Sequence, residues 1–340
     1  MRIWAGLPAE EGIMKRIACF GQYAVLVAMI TVTGVVLPVA AQSFPAKPVR
    51  IIVPYPPGGP LDDVARALGQ KLSLVWGQQV LIDNRSGAGG SIGADVVAKS
   101  PPDGYTMVLA NSGPMTINVS LRKDLPYDPQ KDLAPVTQII SGPMVLVVHP
   151  SLPVKSVKDL IALARSNPGK LNYASAGVGN LQHLGMEHLQ ALAKIKMNHV
   201  PYKGAAPAFI DTLSGRIDLQ FANIVGVLPH VENKRVRAIA ISASRGASVL
   251  PDVPGVSATL PAFDLDGWMG LFVRAGTAQD IIAKLHRDLA AVVQSPDYRE
   301  RFAKRGADVV VGGPEGLAKI VREEIPLYAG IIKSAKITPE

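Results

Sequence analysis

The chain has 340 residues, of which 48% are apolar and 18% charged, and its formal net charge is +8. This length allows two α/β domains, and the composition is that of a globular protein. The lysines and arginines are scattered without a long basic run. The positive charge therefore favours steering of small anions toward a cleft, and no nucleic-acid partner is expected.

The N-terminal segment 1–41 has the layout of a secretory signal peptide. The basic pair Lys15 and Arg16 precedes an apolar run over 24–37, and Val39-Ala40-Ala41 is a small-residue cleavage signal. The run is short for a transmembrane anchor, which favours export to the periplasm with cleavage after Ala41. The true start is open between Met1 and Met14.

The single cysteine, Cys19, lies inside this segment and before its apolar run. A lipoprotein cysteine would follow the run, so lipidation is not expected. Cleavage would leave a chain without cysteine, which excludes a disulfide, a zinc–thiolate site and a cysteine nucleophile. No second apolar stretch approaches spanning length, so the exported chain is expected to be soluble.

Strands and helices alternate along the rest of the chain. Apolar, β-branched runs predict strands over 49–53, 80–83, 106–110, 144–149, 171–174, 198–201, 219–222, 236–241 and 268–273. Helical periodicity predicts helices over 61–74, 91–99, 157–166, 181–193, 206–214, 277–294 and 314–335, with Pro326 breaking or kinking the last. This order predicts parallel sheets with right-handed crossovers, hence an α/β fold of two lobes with a cleft between them.

Two glycine loops, over 55–62 and 174–183, each join a predicted strand to a predicted helix. The N–H groups of a helix start are unpaired and aimed at one point, so each loop is a candidate anion site. Ligands in open α/β sheets bind beyond the carboxyl ends of strands, where both loops would lie. Asp62, in the first turn of its helix, either caps the helix or shapes the site by bonding to its loop. His183 is expected to brace the second loop, with ligand contact as the alternative.

Three other interpretations are disfavoured. Gly87, Gly89 and Gly93 are spaced as in some dinucleotide fingerprints, but no acidic residue follows a strand where the ribose contact would need it. His183 and His188 are five residues apart and match neither known zinc-protease spacing. Ser175 lacks the flanking glycine of a nucleophile elbow. No cofactor and no metal are therefore expected.

The chain also resembles the substrate-binding proteins of tripartite tricarboxylate transporters, also called the Bug or TctC family. The resemblance covers about 45–335. The segments that carry it are 47–59, 84–94, 102–106, 125–129, 167–175, 200–204 and 250–254. Each segment alone is weak evidence for this family, but together the segments are highly specific for it.

The resemblance implies a periplasmic-binding-protein-like fold with a ligand cleft between two Rossmann-like domains: lobe 1 from 42–143 plus 268–340, and lobe 2 from 144–267. It implies a monomer that captures a small carboxylate and delivers it to a pair of membrane permease subunits. In the family, the loops matching 57–62 and 176–183 grip the carboxylate, and the loop at 111–113 faces the cleft. The candidate ligand-binding residues are Tyr55, Pro57, Gly58, Gly59, Asp62, Asn111, Ser112, Ala176, Gly177, Gly179, Asn180, His183 and Asn223.

Two positions depart from the family pattern. Asn180 stands where members usually have serine or threonine, which reshapes the pocket. Ala222 stands where many members have aspartate, so a ligand without an ammonium group is expected, such as a di- or tricarboxylate or an aromatic acid. An exported enzyme acting on a carboxylate and a ligand sensor for a signalling partner remain alternative functions.

Overall fold

A computed structural model describes residues 44–338. The predicted signal peptide, with Cys19 and both candidate start residues, lies outside the described residues. From Pro45 onward the chain forms one compact unit. No helix within 44–338 is long and apolar enough to cross a membrane.

The strands agree with the alternation expected from the sequence. They are Val49–Val53 (β1), Val80–Asn84 (β2), Thr106–Ala110 (β3), Leu133–Val148 (β4), Asn172–Ser175 (β5), Asn198–Pro201 (β6), Leu219–Asn223 (β7), Arg237–Ile241 (β8), Asp266–Arg274 (β9) and Asp308–Gly312 (β10).

The helices fall between these strands and at the C-terminal end. They are Pro60–Trp76 (α1), Ser91–Ala98 (α2), Asn118–Leu121 (α3), Val157–Ser166 (α4), Leu181–Ala193 (α5), Ala205–Leu213 (α6), Ile224–Glu232 (α7), Gln279–Gln294 (α8), Pro296–Ala303 (α9) and Pro314–Ser334 (α10). Short 3-10 turns span Ala88–Gly90 and Val256–Ala258, and a π-helical turn spans Gly113–Ile117.

The strands hydrogen-bond in the order β2-β1-β3-β9-β4-β7-β5-β6, with β8 and β10 also paired to β4. The pairs β1–β2, β1–β3, β5–β6 and β5–β7 are parallel, while every pair that includes β4 or β9 is antiparallel. The α/β fold is thus confirmed. The predicted parallel sheets are corrected to a mixed sheet, because β4 and β9 run against their neighbours.

Strand β4 connects two parts of this sheet. Its first part, Leu133 to Pro143, pairs with β9, and its second part, Met144 to Val148, pairs with β7. The chain returns to the first part of the sheet at Asp266, which opposes Pro143 at the start of β9. Beside this return crossing, the Ser242 hydroxyl accepts from Met144 N–H at 2.9 Å and donates to the Leu265 carbonyl at 2.7 Å. The predicted lobe boundary coincides with this change of partner, and the division into two lobes stays a prediction.

Register brings the ends of neighbouring strands together. Val53 opposes Asn84 across β1 and β2, and Ser175 opposes Pro201 across β5 and β6. The loop after each strand therefore lies beside the next strand's end. Behind the second loop, α5 is anchored by Leu184 and Leu189, which are buried in one apolar cluster with Phe221. Burying side chains of this size contributes about 1.5–3 kcal/mol each.

The structure differs from the predicted local structure in several places. The strand predicted over 144–149 is the second part of the longer β4. Helices α3, α7 and α9 and strand β10 were not expected from the sequence. Helix α10 continues through Pro326, so of the two predicted effects, a break or a kink, the break is wrong.

Candidate functional site

The first glycine loop follows β1 and leads into α1. Gly58 has a φ of +82°, which glycine adopts without strain, and its N–H donates to Oδ2 of Asp62 at 3.0 Å. Gly59 is the N-cap of α1, and Pro60 is its first residue. Within the described residues, no hydrogen bond uses the backbone N–H of Leu61 or Asp62. Both groups are available at the positive end of the helix dipole.

Asp62 fastens this loop to its surroundings. Its Oδ2 accepts from Gly58 N–H and from Arg66 Nε at 2.9 Å, and its Oδ1 accepts from Asn84 Nδ2 at 3.0 Å. Burial alone would raise the pKa of this carboxyl, but the hydrogen bonds from Arg66, Gly58 and Asn84 outweigh it and lower the pKa below 3.8. Of the two roles expected for Asp62, the contacts match shaping of the loop.

Replacing Asp62 with asparagine is expected to lower the unfolding free energy by about 1 kcal/mol at pH 7, because the amide keeps one acceptor oxygen while its nitrogen presents hydrogens to at least one of three groups that are all donors. A carboxyl with a lowered pKa contributes stability that is present above its unfolded pKa of 3.8 and is lost as pH falls through its folded pKa. The difference should therefore shrink in acid. Urea denaturation at neutral and acid pH measures it, with the exposed Asp124→Asn as control. A loss that is the same at both pH values would contradict this role.

The second glycine loop follows β5 and leads into α5. Asn180 is the N-cap of α5: its Oδ1 accepts from His183 N–H at 3.0 Å, and its Nδ2 donates to the Gly177 carbonyl at 2.6 Å. Ala176 N–H donates to Oε1 of Gln182 at 2.8 Å. No hydrogen bond among residues 44–338 uses the N–H of Leu181 or Gln182. A second helix start is thus left with free donors.

His183 lies behind the second loop. It is 6% exposed, and its ring stacks on His199 with centroids 4.3 Å apart. Burial lowers the pKa of His183 to about 4, so the ring is neutral at pH 7. Its Nδ1 lies 3.5 Å from Gly179 N–H, at the limit of a hydrogen bond. These contacts match the bracing role expected from the sequence, and His183 does not line the cavity described next.

A central cavity of about 70 Å³ lies where the glycine loops meet. The starts of four helices reach it: 59–62 at α1, 180–182 at α5, 205–206 at α6 and Asn223 at α7. No lysine or arginine lines it, and Asp62 is the one charged side chain in its described lining. An anion bound there would therefore meet backbone N–H groups and helix dipoles in place of a salt bridge.

Three amide side chains give this cavity a wall of donors. Asn111 Oδ1 accepts from the Tyr55 hydroxyl at 3.0 Å, Gln182 Oε1 from Ala176 N–H, and Asn223 Oδ1 from Val225 N–H at 3.1 Å. In each case the oxygen has a protein partner, while the amide nitrogen has none among the described residues. The groups left for a ligand are donors, which match a carboxylate.

The candidate residues divide into two groups. Those that line the central cavity are Tyr55, Gly59, Asp62, Asn111, Ser112, Ala176, Asn180 and Asn223. Those that do not line it are Pro57, Gly58, Gly177, Gly179 and His183, which form or brace the loops behind it. Whether either group contacts a ligand stays a prediction.

Several lining residues were missed from the sequence. Gln182 lies within the second loop, and Ala205 and Ala206 start a helix after the 200–204 segment, so the sequence indicated both places although these residues were not named. Nothing in the sequence indicated that Trp268 and Met269, on β9, line a cavity, because a lone aromatic residue on a strand is usually part of the hydrophobic core. Within the described residues, no group of three or more His, Cys, Asp or Glu side chains could hold a metal ion.

Comparisons with known proteins agree on one family. A family model described as "Tripartite tricarboxylate transporter family receptor" matches residues 64–337. Protein BugT of Bordetella pertussis is 36% identical over 312 residues, which cover 91% of this chain and 96% of BugT.

Solved structures give the same result. R. palustris Rpa4515 with adipate superposes with a TM-score of 0.84 and 33% identity, over 87% of this chain and all of that one. MatC from Rhodopseudomonas palustris, with bound malate, has a TM-score of 0.82 and 33% identity, over 85% and 100%. The periplasmic binding protein BugD has a TM-score of 0.83 and 30% identity, over 87% and 100%.

Proposed function

Because this chain belongs to the tripartite tricarboxylate transporter receptor family, we propose that it is an extracytoplasmic solute-binding protein. It captures a small carboxylate in the central cavity and delivers it to the membrane permease subunits of a tripartite transporter. The ligand is released chemically unchanged, and the proposal assigns no enzymatic activity and no cofactor.

The observation that carries this proposal is the set of free hydrogen-bond donors in the lining of the central cavity. Among the described residues, the amide nitrogens of Asn111, Gln182 and Asn223 and the N–H groups of two helix starts are free, while the oxygens of the same three amides accept hydrogen bonds from the protein. A carboxylate has acceptors only, so it can satisfy these groups together. Donors that are already in place cost little ordering on binding.

The same free donors in the cavity lining indicate the chemical class of the ligand. Adipate and malate, which are bound to the related Rpa4515 and MatC, are small dicarboxylic acids. An ammonium group would need an acceptor, but both oxygens of Asp62 accept bonds from the protein. A carboxylic acid without an ammonium group is therefore the proposed ligand, and glutamate or aspartate should bind more weakly.

Capture is proposed to occur by closure of two lobes, 42–143 plus 268–340 and 144–267, around the ligand. Strand β4 and the return crossing near Ser242 are the connections that a hinge would use. The protein is proposed to act as a periplasmic monomer after removal of residues 1–41. The transport role requires the permease pair, and a sensing role would use the same closed form.

A thermal-shift screen of the chain from residue 42 onward tests the function. A carboxylate at a hundred times its Kd is expected to stabilise the folded state by about 2.7 kcal/mol. Di- and tricarboxylates and aromatic acids form the test set, the corresponding amides are the control, and aspartate and glutamate test the absence of an ammonium site. If none of the acids raises the melting temperature above its amide, the function is wrong. Recovery of the bound acid unaltered after denaturation distinguishes binding from catalysis.

A further inference from the structure

A second cavity, which we call the cationic pocket, lies beside the central cavity. Its volume is about 290 Å³. Residues 86–90 and Arg122 line it from one proposed lobe, and residues 176–178 and 201–203 line it from the other. The pocket therefore spans the line along which the proposed lobes would separate.

Tyr55 lies between the two cavities. Within residues 44–338, the two linings have only Tyr55 and Ala176 in common. The Tyr55 hydroxyl lies 3.0 Å from Oδ1 of Asn111, in the wall of the central cavity, and 3.3 Å from the carbonyl oxygen of Gly89, in the wall of the cationic pocket. A ligand in one cavity thus meets a different set of polar groups from a ligand in the other.

The two cavities differ in charge. The described lining of the cationic pocket contains Arg122 and Lys203 and no aspartate or glutamate. The described lining of the central cavity contains Asp62 and no lysine or arginine. Among residues 44–338, neither Arg122 nor Lys203 forms an ion pair or a side-chain hydrogen bond. Two positive charges without a counter-charge in the same wall attract an anion, and a dianion more strongly.

The backbone holds Arg122 at the wall of the pocket. Arg122 follows the short helix α3, and its N–H donates to the Asn118 carbonyl at 3.0 Å. Asn118 Nδ2 donates to the Gly89 carbonyl at 3.3 Å, which fastens α3 to the turn at 88–90. The Nε of Arg122 is enclosed without a partner and is out of reach of a ligand. The two terminal guanidinium nitrogens also lack partners among the described residues, and they are not enclosed, so they are the atoms that can bind one.

The turn beside Arg122 has free donors and engaged acceptors. Its Gly90 N–H donates to the Gly87 carbonyl at 2.9 Å. Within the described part of the chain, no hydrogen bond uses the N–H groups of Gly87, Ala88 or Gly89. The carbonyl oxygens of the same three residues all accept hydrogen bonds from the protein. The polar groups left over in this wall therefore suit a ligand that accepts hydrogen bonds.

The walls from the two proposed lobes touch in this structure. A Cβ on Gly89 would lie 2.5 Å from the carbonyl oxygen of Val178, so glycine is needed for these two loops to meet. A Cβ on Gly177 would lie 3.1 Å from the carbonyl oxygen of Tyr202, and Lys203 comes directly after Tyr202. The structure thus has the loops together, with one cation in each wall.

We propose that the cationic pocket binds a phosphate group, either inorganic phosphate or a small phosphate monoester. Such a group carries about two negative charges at pH 7 and accepts hydrogen bonds in several directions. It can satisfy the planar guanidinium of Arg122, the ammonium of Lys203 and backbone N–H groups together. At roughly 10–15 Å³ for each water-sized group, the pocket has room for about twenty such groups, enough for a phosphate and a small ester substituent.

A phosphate group in this pocket should also strengthen carboxylate binding. Opening of the lobes would move Arg122 and Lys203 apart, so a phosphate held by both favours the closed form. The coupling is reciprocal: a carboxylate in the central cavity strengthens phosphate binding by the same factor. The coupling rests on the proposed function, because it needs a carboxylate in the central cavity, whereas the phosphate site itself does not.

Calorimetry with inorganic phosphate and glycerol phosphate tests the site, at an ionic strength held constant with chloride. The wild-type chain from residue 42 onward is expected to bind one equivalent, and the tighter of the two probes identifies free phosphate or a monoester as the ligand. Arg122→Gln should weaken this binding at least about tenfold, and Lys203→Gln about threefold. Arg299→Gln is the matched control, because Arg299 is an exposed arginine on α9 outside the pocket.

One further variant separates the two cavities, because the acceptors of phosphate also suit the free donors of the central cavity. Gly59 lines the central cavity and not the cationic pocket. Gly59→Val should therefore keep the phosphate affinity that Arg122→Gln loses. For a carboxylic acid measured without phosphate, Gly59→Val should lose affinity and Arg122→Gln should keep it.

The coupling is measured with the carboxylic acid that gives the largest shift in the thermal-shift screen. Saturating phosphate is expected to tighten binding of this acid to the wild-type protein about fivefold or more. The affinity of Arg122→Gln for the same acid should not change on addition of phosphate.

The possible results are distinguishable. Absence of phosphate and ester binding to the wild-type protein, or a phosphate affinity that survives in Arg122→Gln, overturns the site. Phosphate binding that leaves the acid affinity unchanged overturns the coupling and not the site. Failure of every acid to bind, in a protein that still binds phosphate, overturns the proposed function and the coupling with it, while the phosphate site stands.

Discussion

Gly59→Val is expected to weaken carboxylate binding at least about a hundredfold while the fold stays intact. Gly59 lines the central cavity at the start of α1, so the valine methyl groups would occupy the space in front of the N–H groups of Leu61 and Asp62. Each hydrogen bond from such a donor to a charged acceptor contributes roughly 1.5–3 kcal/mol. Losing two of these hydrogen bonds would weaken carboxylate binding about a hundredfold or more.

The fold should tolerate valine at this position. Gly59 has φ −85° and ψ 170°, an extended conformation that suits a β-branched residue placed before a proline. A Cβ built there would meet only the Pro56 carbonyl, at 3.9 Å. A substitution at residue 59 is therefore expected to change ligand affinity without changing the stability of the fold.

Gly313→Val is the matched control. Gly313 is also an extended N-cap followed by a proline, at the start of α10, and it does not line the central cavity. Both variants should melt within a few degrees of the wild-type protein, and only Gly59→Val should lose affinity for the acids that the wild type binds. A Gly59→Val protein with near wild-type affinity would place the ligand elsewhere.

Local structure was predictable from this sequence wherever the signal is local. The structure has the predicted bounds for β1, Val49–Val53, and for the helices Val157–Ser166 and Leu181–Ala193. The two helices have N-caps that bond their first turns, Ser156 and Asn180, and periodic apolar faces. Caps and periodicity depend on residues at most a few positions apart, so sequence alone reveals them.

Elements that depend on distant partners were missed. The first part of β4 contains Pro135 and Pro143, which disfavour a strand, yet pairing with β9 holds it, with shifts in register near Pro135. Helix α7 contains Gly226 and Pro229, two poor helix formers. It forms behind the Asn223 cap with Val227 and Leu228 buried. Tertiary packing outweighs propensity in both elements.

The candidate site was predictable in outline and not in detail. Glycine loops between strands and helices indicated where the cavity lies, but the pattern could not distinguish Gly59, in its wall, from Gly179, behind it. A Cβ on Gly179 would lie 2.0 Å from Oδ1 of Asn118, so this glycine permits one loop to pack on another. Such contacts join residues far apart in the chain. For the same reason Trp268 carried no signal.

Trp268 brings a buried carboxyl group to the edge of the cavity. Its indole Nε1 donates to Oε1 of Glu324 at 2.8 Å, and the Tyr328 hydroxyl donates to the same oxygen at 3.0 Å. Glu324 as a residue is half-buried and lines an adjoining groove, and both of its carboxyl oxygens have hydrogen-bond partners in the protein. Burial raises the pKa of Glu324 to about 7, against hydrogen bonds that lower it.

The contacts of Thr116 agree with a protonated Glu324. The Thr116 hydroxyl lies 2.8 Å from the Ser112 carbonyl and 2.9 Å from Oε2 of Glu324. One hydroxyl hydrogen cannot serve two acceptors, and a carbonyl cannot donate. With a proton on Oε2, Glu324 donates to Thr116, which then donates to Ser112, and every contact is satisfied.

The free energy of unfolding of Glu324→Gln is therefore expected to exceed that of the wild-type protein by an amount that grows as pH rises. A carboxyl whose pKa is raised on folding contributes stability that is complete below its unfolded pKa of 4.5 and is lost as pH rises through about 7. The shift corresponds to about 3 kcal/mol, and partial contact with solvent reduces the expected change to about 2 kcal/mol. Glutamine keeps the donor and the acceptor of the protonated form but does not titrate.

Urea denaturation of both proteins at pH 5 and pH 8 measures this difference. Glu323→Gln is the control, because Glu323 lies next to Glu324 on α10 with its side chain 66% exposed, and its difference from the wild type should be small at both pH values. Glutamine keeps an acceptor oxygen for the Trp268 indole, which lies in the cavity wall. Glu324→Gln should therefore also retain ligand affinity at pH 5. A stability difference that does not grow between pH 5 and pH 8 would mean that Glu324 is ionised throughout this range. The Thr116 hydroxyl would then donate to the Glu324 carboxylate, and the Ser112 carbonyl would lose that donor.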